Sequence, residues 1–152
     1  MLPFNRILCP TDFSPPASEA VRVAAELAGH FSAQLFLAHV VHPAPGMSLG
    51  QLGEGLEAFD IRGYEKALVA AAKRKLKNLI GEAVPTELQA ETVVVAGDPA
   101  KRILDLAEEN KIDLIIISTH GRTGWHRLVA GSVAEKLVRH ASCPVLTVRM
   151  PY

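Results

Sequence analysis

Apolar residues along the chain fall alternately into short continuous runs and into helical periods. Five short runs predict β-strands, at residues 4–9, 34–41, 89–96, 113–118 and 144–149. The fourth strand is apolar at consecutive positions and lacks the in–out alternation of a half-exposed strand. Such a strand is covered on both faces, which is typical of a parallel sheet flanked by helices.

Helical periods separate the predicted strands. Ser14 is a favourable N-cap with Pro15 at the first helical position, and Asp98 with Pro99 repeats this arrangement. Further helices are predicted at about 59–80 and at 132–140, while residues 42–57, rich in proline and glycine, predict a long exposed loop. Alternation of strands and helices predicts a doubly wound α/β fold, and right-handed crossovers leave few strand orders.

Composition narrows the class of protein further. A chain of 152 residues suits a single domain spanning 1–152, and its 16 Lys and Arg balance 16 Asp and Glu. This neutrality argues against a protein that coats nucleic acid, because such domains are strongly basic. No apolar run is long enough for a membrane span, no signal-peptide layout is present, and two cysteines cannot form a disulfide framework. We therefore expect a cytoplasmic protein with neither nucleic acid nor membrane as partner.

Candidate chemistry is concentrated after the fourth strand. In open parallel sheets, ligands bind beyond the carboxyl ends of the strands, where the strand order reverses. The segment there is rich in glycine and leads into the last helix, whose N-terminus would favour a phosphate. It holds Ser118, His120, Gly121, Arg122, Gly124, Gly131, Ser132 and Val133. The pattern fits a phosphate cradle, and it also fits a tight turn with a helix cap.

The ends of the first two strands supply further candidates. Pro10, Thr11 and Asp12 follow the first strand, and the Asp12 carboxylate could accept hydrogen bonds from ribose, approach Mg²⁺ or cap the next helix. Val40 could form an apolar wall against a purine or belong to the core. Neither a Walker A motif nor a dinucleotide fingerprint is present. His39 and His42 should lie on opposite faces of a strand, which argues against zinc.

The order of these motifs resembles the universal stress protein family over the whole chain. The resemblance rests on the segments 10–14, 37–41, 97–99, 118–124, 131–135 and 143–146. It implies an adenine nucleotide alpha hydrolase-like sheet of order 3-2-1-4-5 with helices on both faces. It also implies a cytoplasmic, commonly homodimeric protein that acts in stress tolerance.

The family divides into members that bind ATP and members that do not. The ATP motif is Gly, two residues, Gly, nine residues, then Gly with Ser or Thr. Gly121 and Gly131-Ser132 match it, whereas Ser118 replaces the first glycine. We expect the added hydroxymethyl group to be accommodated. The resemblance implies ATP with Mg²⁺, held at the adenosine by Pro10, Thr11, Asp12 and Val40, and at the phosphates by Ser118, Gly121, Arg122, Gly131, Ser132 and Val133.

Two functions follow as alternatives: an ATP-binding regulatory protein, or a dimeric interaction protein that binds no nucleotide. No convincing water-activating base is evident, since a lone loop histidine such as His120 is usually structural, and we expect slow ATP hydrolysis at most. The last strand would be a sheet edge in the implied order. Its apolar stretch from Pro144 to Met150 predicts a homodimer formed by antiparallel pairing of two such edges.

Overall fold

The computed structural model of the chain describes residues 2–42, 61–119 and 131–149. Within these ranges it has a parallel sheet of five strands in the order β3-β2-β1-β4-β5. The predicted fold class and strand order are therefore confirmed. In chain order the elements are β1 (Arg6–Pro10), α1 (Pro15–Phe31), β2 (Gln34–Val41), α2 (Ile61–Ala83), β3 (Ala90–Ala96), α3 (Pro99–Glu109), β4 (Leu114–Ser118), α4 (Ser132–His140) and β5 (Val145–Val148).

The helix starts follow the predicted capping residues. The Ser14 hydroxyl accepts a hydrogen bond from the backbone N–H of Ala17 at 3.3 Å, and Asp98 accepts one from the N–H of Lys101 at 2.9 Å. Each cap precedes a proline, whose missing N–H is not needed in a first helical turn. The local sequence thus fixes where α1 and α3 begin.

Both faces of the sheet are covered, as the unbroken apolar run of β4 predicts. Every residue of β4 is buried. Ile7 and Ile116 of the sheet belong to one apolar cluster with residues of α1 and α2, whereas Leu8 and Ile115 belong to a second cluster with residues of α3 and α4. Successive strand residues point to opposite faces, so one sheet supplies both clusters.

Element boundaries differ from the predicted ones by a few residues. Helix α2 continues to Ala83, beyond the predicted end at residue 80, and both Ile80 and Ala83 pack against the first apolar cluster. Tertiary packing extends this helix past the point that its periodicity indicates. Of the predicted loop at 42–57, only His42 lies among the described residues.

The strand register leaves a crevice at the carboxyl edge of the sheet. The last β1–β2 pair joins Pro10 to Ala38, while β2 continues alongside β3 as far as Val41. The chain crosses from β3 to β4, so the strand order reverses beside β1. Ligand sites in such folds lie at this point. Among the helices the structure describes, none combines the length and apolar character needed to cross a membrane.

Candidate functional site

A cleft of about 550 Å³ opens at the carboxyl edge of the sheet. Its volume is in the range of small-molecule sites. The predicted site residues that border it are Pro10, Thr11, Asp12, Val40, Ser118, Gly131, Ser132 and Val133. The predicted residues His120, Gly121, Arg122 and Gly124 lie outside the described residues. Sequence reasoning missed the remaining lining residues, which are Ala17, Ala38, His39, His42, Pro99, Ile103, Ile117 and Ala134.

Hydrogen bonds within the chain hold the turn between β1 and α1. Asp12 Oδ1 accepts from the backbone N–H of Ser14 at 3.0 Å and from its hydroxyl at 2.5 Å. The hydroxyl of Thr11, itself buried, accepts from the N–H of Phe13 at 3.1 Å. Asp12 therefore does not cap α1 itself; it holds Ser14, the residue that does. This network fixes the carboxylate at the mouth of the cleft.

Two histidines that the sequence did not place in the site border the same cleft. His39 Nδ1 lies 2.8 Å from the carbonyl oxygen of Thr11, and His42 Nδ1 lies 3.1 Å from that of Gly97. His42 follows the last residue of β2, so strand alternation does not separate the two rings. The residues the structure describes contain no cluster of three His, Cys, Asp or Glu side chains suited to a metal ion.

The N-terminus of α4 forms another wall. Gly131 is its N-cap and provides no side-chain hydrogen bond, in contrast to Ser14 at α1 and Asp98 at α3. Gly131 N–H donates to the carbonyl oxygen of Thr119 at 2.6 Å, and a Cβ at Gly131 would lie 3.2 Å from that oxygen. The first N–H groups of α4 thus border the cleft without a side-chain cap, as an anion site requires.

The described lining contains both apolar side chains and polar groups. Val40, Pro99 and Ile103 offer apolar surface beside the end of β2. No Lys or Arg occurs among the lining residues that are described. The positive potential available from these residues comes from backbone N–H groups and the dipole of α4. Such a cleft suits a ligand with an apolar ring at one end and an anionic group at the other.

A model of the universal stress protein family matches residues 3–149. Universal stress protein MJ0531 of Methanocaldococcus jannaschii is 32% identical over 148 residues, which cover 97% of this chain and 84% of that relative. The solved structure of protein MJ0577, from the same organism, has a TM-score of 0.82 at 26% identity and covers 98% of both chains. A universal stress protein crystallised in complex with cAMP shares the fold, with a TM-score of 0.65, 24% identity and coverage of 95% of this chain and 96% of that one. The chain described here belongs to the universal stress protein family.

Proposed function

We propose that this chain is a cytoplasmic regulatory protein of the stress response that binds ATP together with Mg²⁺. One observation carries the proposal. The cleft at the reversal point of the sheet joins apolar surface beside Val40 to a helix N-terminus without a side-chain cap, at Gly131 and Ser132. An adenine nucleotide has the matching pair of ends, a flat apolar base and a chain of phosphates.

Different lining residues would contact the base, the ribose and the phosphates of the nucleotide. Val40 and Ile103 would contact the base, and the turn at Asp12 would face the ribose. The N–H groups of Ser132 and Val133, in the first turn of α4, would bind phosphate oxygens, with Arg122 as a further candidate from the sequence. Mg²⁺ binds through a few carboxylate or phosphate oxygens and retains water, so a dedicated cluster of protein ligands is not required.

Binding, without rapid turnover, fits the chemistry of the described residues. Among the described lining residues, Asp12 provides the carboxylate. Its Oδ1 accepts hydrogen bonds from the Ser14 hydroxyl at 2.5 Å and from the Ser14 backbone N–H at 3.0 Å. A carboxylate engaged in this way is poorly placed to activate water. ATP then acts as a ligand that shifts a conformational or partner-binding equilibrium by binding one state more tightly.

A second candidate is a dimeric interaction protein that binds no nucleotide. It is favoured by the edge strand β5, where Leu146 is 39% exposed, and by Ser118 in place of the first motif glycine. A homodimer formed through β5 is compatible with both candidate functions, because the apolar β5 edge is separate from the cleft. Binding of a nucleotide decides between them.

The deciding experiment is calorimetric titration of the nucleotide-stripped protein with Mg-ATP and, in parallel, with AMP. We expect micromolar binding of ATP and much weaker binding of AMP, because the β- and γ-phosphates interact with the N-terminus of α4. A thermal shift with excess ATP provides a second readout, since a ligand at 100 times its Kd stabilises the folded state by about 2.7 kcal/mol. Absence of both heat and thermal stabilisation would reject ATP binding and favour the second candidate.

A further inference from the structure

In the β1–α1 turn, the imidazole of His39 contacts the residue before Asp12 and the residue after it. Its Nδ1 lies 2.8 Å from the carbonyl oxygen of Thr11, which precedes Asp12. Its ring lies 4.5 Å, between centroids, from the ring of Phe13, which follows Asp12. The Phe13 ring also makes a cation–π contact with Lys75 of α2, whose Nζ lies 5.4 Å from the ring centroid. One side chain of β2 thus touches the residues on either side of the carboxylate.

The turn needs such support because its backbone is unusual. Phe13 has a φ of 63°, in the left-handed region that residues with a Cβ adopt rarely and keep only when neighbours hold them. Regular sheet pairing ends just before it, since Thr11 N–H donates to Ala38 at 2.8 Å whereas the Thr11 carbonyl is bound by the His39 ring. The side chain of His39 therefore continues the interaction between β1 and β2 by one step.

The hydrogen bond to Thr11 also determines which ring nitrogen of His39 carries a proton. A backbone carbonyl can only accept a hydrogen bond, so Nδ1 of His39 carries the proton. In the neutral imidazole Nε2 is then the unprotonated nitrogen. This tautomer is a property that can be measured independently of any ligand.

We propose that His39 is a positioning residue of the nucleotide site, which holds the Thr11–Asp12–Phe13 turn in the conformation that binds the nucleoside. The proposal rests on the proposed function only for its effect on affinity. The mechanism is indirect: His39 donates to the Thr11 carbonyl and packs on Phe13, and the fixed turn presents Asp12 to the cleft. Loss of the Nδ1 donor leaves the Thr11 carbonyl without that bond, so the turn is held only by its internal hydrogen bonds and becomes less well fixed.

The test compares two substitutions that differ in where they place an amide. The amide of Asn overlies Nδ1 of histidine, whereas the amide of Gln overlies Nε2, so His39→Asn retains the donor to Thr11 and His39→Gln does not. We expect His39→Gln to weaken Mg-ATP binding about tenfold, as loss of this partly buried hydrogen bond predicts, and His39→Asn to remain within about threefold of the parent. His30→Gln, on the exposed end of α1, is the matched control and should bind like the parent.

Nitrogen NMR of uniformly nitrogen-15-labelled protein gives the second readout, and it separates this inference from the proposed function. We expect His39 of the parent to carry its proton on Nδ1. Both variants lose the ring that packs on Phe13, so we expect the Thr11 and Asp12 amide shifts to move in both, and to move further in His39→Gln, which also loses the hydrogen bond to Thr11. A proton on Nε2, or equal ATP affinity for His39→Gln and parent, would overturn the positioning role. If the parent binds no nucleotide, the proposed function fails, and the tautomer and amide shifts alone decide the inference.

Discussion

Burial of Cys9 in the sheet should make the stability of the protein depend on pH. Its side chain is fully buried, and desolvation raises the pKa of the thiol from 9.0 to about 12. Between pH 9 and 12 the unfolded chain releases this proton whereas the folded chain retains it. The free energy of unfolding should therefore fall as pH rises, by up to about 1.4 kcal/mol per pH unit from this group.

The Cys9 prediction is checked by urea unfolding of the parent and of Cys9→Ala between pH 8 and pH 10.5. Lysine and tyrosine titrations are common to the two proteins, so the difference between their pH slopes isolates the thiol. We expect a steeper loss of stability in the parent above pH 9 and a difference between the two slopes that shrinks towards pH 8. Identical slopes throughout would mean that the folded protein admits the thiolate.

At single residues, the sequence predicted positions better than it predicted contacts. Asp12 was expected near the cleft because it follows β1, but whether it would cap the helix or bind ribose stayed open. The hydrogen bonds to Ser14 depend on the fold of the turn, including the positive φ of Phe13, which no spacing rule reveals. His39 was missed for a similar reason, since its bond to Thr11 joins residues far apart in the chain.

At the scale of elements, the start of α4 yields a prediction about Gly131. Its φ of −53° can be adopted by any residue, so a substitution at Gly131 tests the steric effect of an added side chain and not backbone strain. A Cβ would meet the Thr119 carbonyl at 3.2 Å and would occupy space beside the first N–H groups of the helix. We expect Gly131→Ala to weaken ATP binding a few-fold and Gly131→Val to weaken it more than tenfold, by calorimetry. A folded Gly131→Val protein with the affinity of the parent would refute the placement of the phosphates.

Helix α2 contains the matched control and a prediction of its own. Gly81 has nothing within 4 Å of an added Cβ, and it lies inside a helix, where glycine is unfavourable relative to alanine. Gly81→Ala should raise the free energy of unfolding by about 0.5–1 kcal/mol, measured by urea titration, and leave ATP affinity unchanged. A destabilised Gly81→Ala protein would show that α2 does not continue through this position in solution.

Helix starts were predictable from sequence because they depend on residues close together in the chain. Ser14 with Pro15 and Asp98 with Pro99 are local signals, and both hold in the structure. The end of α2 was less accessible, because Ala83 is kept helical by packing against a sheet formed from distant segments. Local rules therefore gave the starts of α1 and α3 and both ends of α4 more accurately than the end of α2.

At the scale of the whole molecule, the fold class was predictable because it needs only the order of elements and the two-sided burial of β4. The strand order 3-2-1-4-5 came from the family resemblance, since several orders satisfy the rules of handedness. Apart from Val40, the apolar lining of the cleft was inaccessible to sequence reasoning. Ala17, Ile103 and Ile117 come from three different elements and meet only after the sheet and helices have packed.

The order of the sheet also leads to a prediction about assembly. β5 is an edge strand, Leu146 on it is 39% exposed, and an apolar edge can pair with the same edge of a second copy. A lysine on an edge strand opposes such pairing. We expect the parent to be a dimer by light scattering at tens of micromolar and Leu146→Lys to be monomeric.

Leu2→Lys is the matched control for assembly, because Leu2 is 69% exposed and lies outside β5. It should remain dimeric. The described lining of the cleft comes from one chain, so monomeric Leu146→Lys should retain most of its ATP affinity. A monomeric parent, or a Leu146→Lys protein that stays dimeric, would exclude the β5 edge as the dimer interface. Loss of ATP binding together with the dimer would instead indicate that the second copy completes the nucleotide site.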